Sequence, residues 1–273
     1  MAALTDTFTL DNGNTIPKIG FGTWQIPDGA EAYDATAAAL KAGYRHIDTA
    51  RVYGNEPSVG RAVRDSGIAR DELFITTKLP AEVKDYDGAR ASFDVTMAAL
   101  DLDYVDLYLI HAPWPWSDMG SDHREGNQQA WRALEEIFGA GGSRAIGVSN
   151  FEVDDLQSLL ASATVTPHAN QIRYFVGYTQ NDVVEFCAKH NILVEGYSPL
   201  ATGAILDNED VTAIAAKYDR SVAQLCIRYV LQNGILPLPK TTNASRMTEN
   251  ADVDFEIADD DMATLDALTD TES

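Results

Sequence analysis

The chain has 273 residues, of which 45% are hydrophobic, and its 42 acidic and 20 basic residues give a formal net charge of −22. That length and apolar content suffice for one large α/β core, and no apolar run approaches the about 20 residues of a membrane-spanning helix. The acidic excess is spread along the chain, which argues against binding to nucleic acid or to an anionic membrane.

The first predicted element is a β-hairpin over residues 8–16, in which Asn12-Gly13 supplies the turn. Strand-like and helix-like patterns then alternate to the end of the chain. The eight strand-like runs are Ile19–Trp24, His46–Ala50, Leu73–Leu79, Val105–His111, Ala145–Ser149, Ala169–Ile172, Leu193–Ser198 and Ile235–Pro239.

Each strand-like run is followed by a helical pattern. The predicted helices are Ala30–Ala42, Glu56–Asp65, Gly88–Leu100, Gln128–Phe138, Asp154–Ala161, Thr179–His190, Ser221–Gln232 and Ala244–Asn250, with two extra helices at Glu209–Tyr218 and Asp259–Leu268. Eight strand–helix units predict an α/β fold of the (β/α)₈ TIM-barrel type, with an N-terminal hairpin and two extra helices, in a single domain over residues 1–273.

An open, doubly wound sheet is the main alternative to the barrel. It would place a glycine-rich turn and a helix directly after the first strand. Gly20 and Gly22 occur there, but no third glycine is in place and no helix follows directly, so the usual dinucleotide fingerprint is absent. The irregular stretch 111–127 follows the fourth strand and, on a barrel, would overhang the rim that carries the chemistry.

Four polar residues lie at or just beyond successive strand ends: Asp48, Tyr53, Lys78 and His111. Barrels of this type gather their catalytic groups at the carboxyl ends of several strands. Each residue alone has a structural explanation, as a helix cap, a packed ring, a surface lysine or a buried histidine. Together a carboxylate, a phenol, an ammonium and an imidazole form a proton-delivery site that suits carbonyl reduction.

The segment from His46 to Glu56, with Thr77-Lys78-Leu79 and Leu109-Ile110-His111, resembles the signature of the aldo-keto reductases. The resemblance runs from about Phe8 to Asn250. It implies that Tyr53 is the general acid, that Lys78 lowers its pKa, that Asp48 holds Lys78, and that His111 orients the substrate oxygen. The implied reaction is the reduction of an aldehyde or ketone, with sugar and keto-acid carbonyls as possible substrates.

The resemblance also implies an NADP(H) cofactor. Its carboxamide would be held by Ser149, Asn150 and Gln171, and its ring would stack on Tyr197. The other implied contacts are Gly22, Thr23, Ser198, Leu200, Lys240, Thr241, Arg246, Glu249 and Asn250. Lys240 and Arg246 lie six residues apart, on a strand end and an opening helix, and this pattern favours the 2′-phosphate of NADP(H) over NAD(H).

Two departures from the family pattern concern the substrate pocket. Ala112 follows His111, where the family often has tryptophan, and Arg173-Tyr174-Phe175-Val176 replaces its usual Glu-Tyr-His-Pro. We expect Trp24, Trp114 and Trp116 to line the pocket, together with Tyr53. The chain ends soon after Leu268, which predicts a more open site than in relatives whose C-terminal extension narrows it.

Other readings of the chain remain open at this point. A regulatory subunit that binds NADPH with little turnover would use the same fold, although it would not need the complete set of four residues. A metal-dependent hydrolase is a weaker hypothesis, because the five histidines show no metal-ligand spacing, and we expect no metal. We expect a monomer whose only partner is a small carbonyl compound.

The remaining composition signals concern the cellular setting. Cys187 and Cys226 lie in helix-like patterns and indicate neither disulfides nor a metal cluster, and residues 1–10 lack the pattern of a secretory signal. A soluble, cytoplasmic protein is therefore predicted. High acidity with only seven lysines against thirteen arginines favours a cytoplasm of molar salt, in which screening acts over about 3 Å; an ordinary acidic protein is the alternative.

Overall fold

The computed structural model describes residues 2–272 and has eight parallel strands arranged as a barrel, with helices between them. A small antiparallel sheet of β1 (Thr7–Thr9) and β2 (Thr15–Pro17) precedes it. The barrel strands are β3 (Phe21–Gly22), β4 (His46–Asp48), β5 (Phe74–Leu79), β6 (Leu107–Ile110), β7 (Ile146–Ser149), β8 (Ala169–Arg173), β9 (Leu193–Tyr197) and β10 (Leu236–Leu238). The predicted (β/α)₈ fold is confirmed.

The helices around the barrel follow the predicted order. They are α1 (Ala30–Ala42), α2 (Glu56–Asp65), α3 (Tyr86–Leu100), α4 (Arg124–Gly139), α5 (Val153–Leu160), α6 (Asn181–Lys189), α7 (Glu209–Lys217), α8 (Val222–Gln232), α9 (Ala244–Ala251) and α10 (Asp259–Asp266). Among residues 2–272, no helix combines the length and the apolar character that crossing a membrane would require.

The barrel closes because its two terminal strands meet. The amides of Gly20 and Gly22 donate to the carbonyls of Pro237 and Pro239, at 3.1 and 3.0 Å. Gly20 has no room for a side chain, since a Cβ there would lie 2.4 Å from the Leu238 side chain. A side chain at Gly20 would require the buried side chains of Leu238 and His46 to move.

The hairpin covers the amino-terminal end of the barrel. Leu10 and Ile16 are buried against the apolar side chains of Phe74 and Leu107. The side chains of Asn12 and Asn14, on either side of the turn, donate to the carbonyl of Arg144, at 3.1 and 2.8 Å. This end is thus closed by packing, which leaves the carboxyl ends of the strands as the open rim.

Helix α4 begins at Arg124, four residues before the predicted start at Gln128. Gly126 and Asn127 are typical of a loop, but here each has a packing role inside the helix. A Cβ at Gly126 would lie 2.7 Å from the Lys84 carbonyl oxygen, and Asn127 is buried. The sequence pattern predicted too short a helix, because glycine usually indicates a loop but is tolerated in a helix where another backbone approaches closely.

Candidate active site

The four polar residues singled out in the sequence come together at the open rim. Asp48 is the last residue of β4, and Tyr53 ends the short helical turn Arg51–Tyr53 that follows. Lys78 lies near the end of β5, and His111 directly follows β6. Because neighbouring parallel strands end at the same edge, the barrel places all four side chains at one site.

Asp48 and Lys78 form a buried ion pair. Lys78 Nζ lies 2.8 Å from both carboxylate oxygens of Asp48 and also donates to the Thr49 carbonyl at 2.9 Å. Burial alone would lower the pKa of Lys78, but the Asp48 carboxylate and Tyr53 outweigh it and the pKa is raised. The ammonium therefore stays charged, held by Asp48 from inside the barrel.

Tyr53 lies beside this ion pair, with its ring centroid 5.2 Å from Lys78 Nζ. We expected Lys78 to lower the pKa of the phenol, and its charge does act in that direction. Burial raises the pKa of Tyr53 and outweighs the attraction of Lys78, whose charge is partly offset by Asp48. The phenol is consequently protonated at neutral pH and available as a proton donor.

His111 packs edge-on against Tyr53, with ring centroids 5.7 Å apart, and against Trp116 at 5.6 Å. Burial, together with the charge of Lys78, holds the pKa of His111 well below its usual value of 6.5. The imidazole is therefore neutral at physiological pH. A neutral imidazole carries one N–H, which can donate to a substrate oxygen without taking part as an acid.

Side-chain hydrogen bonds hold the loop that follows His111. Lys84 Nζ donates to the Ala112 carbonyl at 2.7 Å and to Asn127 Oδ1 at 2.8 Å. Asn127 in turn donates to the Pro113 carbonyl at 2.7 Å. These bonds restrain the backbone next to His111, and thereby its ring.

A cavity of about 1070 Å³ is bordered both by Tyr53 and His111 and by the basic residues Lys240 and Arg246. Most of the cofactor and pocket residues predicted from the sequence border it. These are Gly22, Trp24, Trp116, Ser149, Asn150, Gln171, Tyr197, Ser198, Leu200, Lys240, Thr241, Arg246, Glu249 and Asn250. Ligand sites commonly measure about 300–1,000 Å³, so this cavity is slightly larger than that range.

Two predicted contact residues, Thr23 and Trp114, are not among the residues that border the cavity. The side chain of Thr23 is fully buried and its hydroxyl donates to the Asp48 carbonyl at 3.0 Å, so it supports the strand that carries Asp48. Trp114 packs edge-on against Trp116, with centroids 5.1 Å apart. It backs the wall that Trp116 forms.

The side chain of Asn150 joins the two sides of the site. Its amide group donates to the His111 carbonyl at 2.9 Å and to Ser149 Oγ at 3.1 Å. Its Oδ1 accepts from the hydroxyl of Tyr197 at 2.8 Å. Asn150 has a positive φ of 60°, a conformation that asparagine tolerates better than most residues. The network fixes Tyr197 relative to the backbone of His111.

Sequence reasoning missed a second buried carboxyl group inside the barrel. Glu195, in the middle of β9, is fully buried and accepts a hydrogen bond from Gln171 Nε2 at 2.9 Å. The same Nε2 donates to Asp48 Oδ2 at 2.8 Å. Burial and the Asp48 charge raise the pKa of Glu195 to about 7. An acidic residue within a buried strand pattern was the signal that could have revealed it.

The raised pKa of Glu195 predicts how stability depends on pH. Below its ordinary pKa of 4.5 the carboxyl of Glu195 is protonated in both the folded and the unfolded protein. Between pH 4.5 and 7 the unfolded chain has lost this proton, whereas the folded protein still holds it. Wild-type stability should therefore fall relative to Glu195→Gln as pH rises from about 4.5 to 7, by about 1–3 kcal/mol in total, and should level off above 7. Urea unfolding at several pH values measures this, with exposed Glu185→Gln as the control; a difference that does not change with pH would contradict it.

Two of the cavity residues that sequence reasoning overlooked have exposed apolar side chains. Val52 and Leu206 are exposed, at 46% and 40%, and both border the cavity beside Trp24 and Trp116. The position of Val52, directly before Tyr53, was the available signal. For Leu206 the sequence offered none, because it lies in an irregular segment, Ala201–Asp207, whose path depends on tertiary packing.

The basic part of the cavity lies at the start of α9. The start of α9 was expected to lie beside the anion, and there Asn243 Oδ1 accepts from the amides of Ser245 and Arg246, at 2.9 and 3.3 Å. Lys240 and Arg246 form no ion pair within residues 2–272. An anion would thus be held mainly by these two side chains and by the hydroxyl of Thr241.

Known proteins share the sequence pattern and the fold of this chain. The sequence pattern of the Aldo/keto reductase family matches residues 18–270. The glyoxal reductase of Bacillus subtilis is 44% identical over 267 residues, which cover 97% of this chain and 94% of the relative.

Two solved structures are similar along nearly the whole chain. An aldo/keto reductase from Brucella melitensis has a TM-score of 0.89 at 41% identity and covers 96% of this chain and 98% of its own. A Bombyx mori aldo-keto reductase in complex with NADP has a TM-score of 0.87 at 33% identity, and the match covers 96% of this chain and 92% of the Bombyx mori chain.

Proposed function

Because the chain belongs to the aldo/keto reductase family, we propose that it is an NADPH-dependent reductase of aldehydes and ketones with Tyr53 as the general acid. One observation carries the proposal. A protonated phenol, a neutral imidazole and a buried ammonium–carboxylate pair meet at a cavity that two cations also border.

The cavity suits NADP(H) in its size and in the polar groups around it. Ser149, Asn150 and Gln171 would hold the carboxamide, and Tyr197 would support the ring. Lys240, Thr241 and Arg246 would hold the 2′-phosphate, whose charge two cations without carboxylate partners would balance. Gly22, Ser198, Leu200, Glu249 and Asn250 are the other proposed contacts. Bound NADPH supplies the hydride that reaches the carbonyl carbon.

The chain's own residues supply the proton and the alignment. Tyr53 donates its phenolic proton to the carbonyl oxygen as negative charge develops there, and Lys78 stabilises the phenolate that remains. Neutral His111 donates a hydrogen bond to the same oxygen and orients it. Asp48 does not touch the substrate; it keeps Lys78 charged and in place.

The walls beside Tyr53 favour carbonyl compounds with a small or apolar substituent. Trp24, Val52, Trp116 and Leu206 present apolar surface to the cavity, and such walls provide affinity without a fixed pattern of hydrogen bonds. The curated relative from Bacillus subtilis is named for glyoxal, a small dicarbonyl. We therefore place small aldehydes first among the candidate substrates, ahead of sugar and keto-acid carbonyls.

The test is NADPH oxidation, followed by absorbance, with glyoxal, methylglyoxal, benzaldehyde, an aldose and a 2-keto acid. Assays at low and at molar salt include the high-salt setting that the acidic composition favours. We expect turnover with aldehydes and much weaker turnover with NADH. Tight NADPH binding without turnover of any of these compounds would contradict the proposal and would favour the regulatory alternative. A monomeric state and a cytoplasmic location remain predictions.

A further inference from the structure

Glu195 lies beneath the proposed reaction site, at a place where a carboxyl group is costly. It is fully buried in β9 and does not border the cavity. Among residues 2–272 no cation contacts it: His46 Nε2 is 3.9 Å away, and burial lowers the pKa of His46 to about 3, so that this ring is neutral. Burying such a group unpaired is unfavourable, so its single hydrogen bond becomes informative.

That hydrogen bond comes from Gln171. The amide nitrogen of Gln171 has two hydrogens, and each has an acceptor oxygen on a carboxyl group: Asp48 Oδ2 at 2.8 Å and Glu195 Oε2 at 2.9 Å. A reversed amide would direct its carbonyl oxygen at both carboxyl groups. The two acceptors therefore select one of the two amide orientations.

The selected orientation determines which atom of Gln171 remains for a ligand. Gln171 borders the cavity, and its Oε1 accepts no hydrogen bond within residues 2–272. We propose that Glu195 is a positioning residue that, together with Asp48, holds Gln171 so that Oε1 accepts from the carboxamide N–H of the nicotinamide. The inference rests on the proposed function, in which Gln171 holds that carboxamide.

If Oε1 of Gln171 accepts from the carboxamide, the protein should prefer a cofactor whose carboxamide N–H can donate a hydrogen bond. The 3-acetylpyridine analogue of NADP⁺ carries a methyl group in place of the carboxamide nitrogen, so it offers Oε1 no donor. Wild-type protein should bind NADP⁺ more tightly than this analogue. Gln171 should contribute a factor of about three to ten to the ratio of the two dissociation constants, which is the value of one net hydrogen bond.

Glu195→Met tests the role of Glu195, because methionine fills similar space and accepts poorly. We expect its preference for NADP⁺ over the analogue to fall by about threefold to tenfold. Glu195→Gln keeps an acceptor and should retain the wild-type preference. Glu56→Met is the matched control, since Glu56 is also buried but bonds to Thr77 and Thr96, away from the cavity.

Dissociation constants are measured by tryptophan fluorescence, since Trp24 and Trp116 border the cavity, and folding is checked by thermal unfolding. An unchanged preference in Glu195→Met, or a lost preference in Glu195→Gln, overturns the inference. Equal binding of the two ligands by the wild type overturns it even if Glu195→Met does not fold. Absence of NADP⁺ and NADPH binding to the wild type is a distinct result, which refutes the proposed function as well.

Discussion

Tyr53→Phe is expected to lower kcat for carbonyl reduction by about 10²–10⁴-fold, the range that general acid catalysis contributes. The variant keeps the ring that packs against His111 and lies near Lys78 but loses the only proton this residue can donate. NADPH affinity should stay nearly unchanged. Steady-state kinetics with an aldehyde, together with fluorescence titration of NADPH, separates the two effects.

Tyr178→Phe is the matched control, because Tyr178 is exposed and does not border the cavity. Its kcat should equal that of the wild type. A Tyr53→Phe variant that kept full activity would show that another group donates the proton. His111 would then be the next candidate, although its depressed pKa makes the imidazolium scarce at neutral pH.

Replacement of both Lys240 and Arg246 by alanine should have the second-largest effect. A charge-assisted hydrogen bond contributes about 1.5–3 kcal/mol, so kcat/KM for NADPH should fall at least about tenfold per cation removed. The corresponding value for NADH should change little, since NADH lacks the phosphate that these side chains would bind. The measurement compares both cofactors at one fixed ionic strength, because salt screens exposed charges.

Lys189→Ala controls for the loss of a positive charge from a strongly acidic protein, because Lys189 is exposed on α6 and lies away from the cavity. It should leave the ratio of the two cofactors unchanged. If kcat/KM fell by the same factor for NADPH and for NADH in the double variant, the two cations would not be binding the 2′-phosphate.

The barrel could be predicted because the sequence patterns that indicate its strands and helices are local. Apolar runs such as Leu73–Leu79 are buried along their whole length, and helices such as α1 begin and end where the pattern predicts. The predicted start of α4 failed for a non-local reason. Helix α4 extends through Gly126 because the backbone of Lys84 approaches it, and no pattern around Gly126 encodes that contact.

The same distinction separates the predictable part of the site from the rest. Asp48, Lys78 and His111 could be placed together because parallel strands end at one rim. The raised pKa of Tyr53 was not predictable, since it depends on the balance between burial and a lysine whose charge Asp48 partly offsets. The bridge from Asp48 through Gln171 to Glu195 also joins side chains from three strands, which no sequence spacing reveals.

Thr23 and Trp114 illustrate why contact residues are harder to predict than reacting ones. Both lie within a few residues of cavity positions, yet Thr23 turns towards the Asp48 carbonyl and Trp114 towards Trp116. Which way a side chain points at a loop depends on local backbone geometry. The predicted residues thus border the cavity except at these two positions, and their contacts with cofactor and substrate stay predictions.

In the proposed reaction, the proton of Tyr53 and the hydride of NADPH reach the same carbonyl group. A crystal structure of the NADP⁺ complex tests this arrangement. We expect the nicotinamide ring to lie between Tyr197 and Tyr53, with its C4 near the phenolic oxygen, and the 2′-phosphate to lie between Lys240 and Arg246. A dinucleotide bound with its nicotinamide away from Tyr53 and His111 would contradict it.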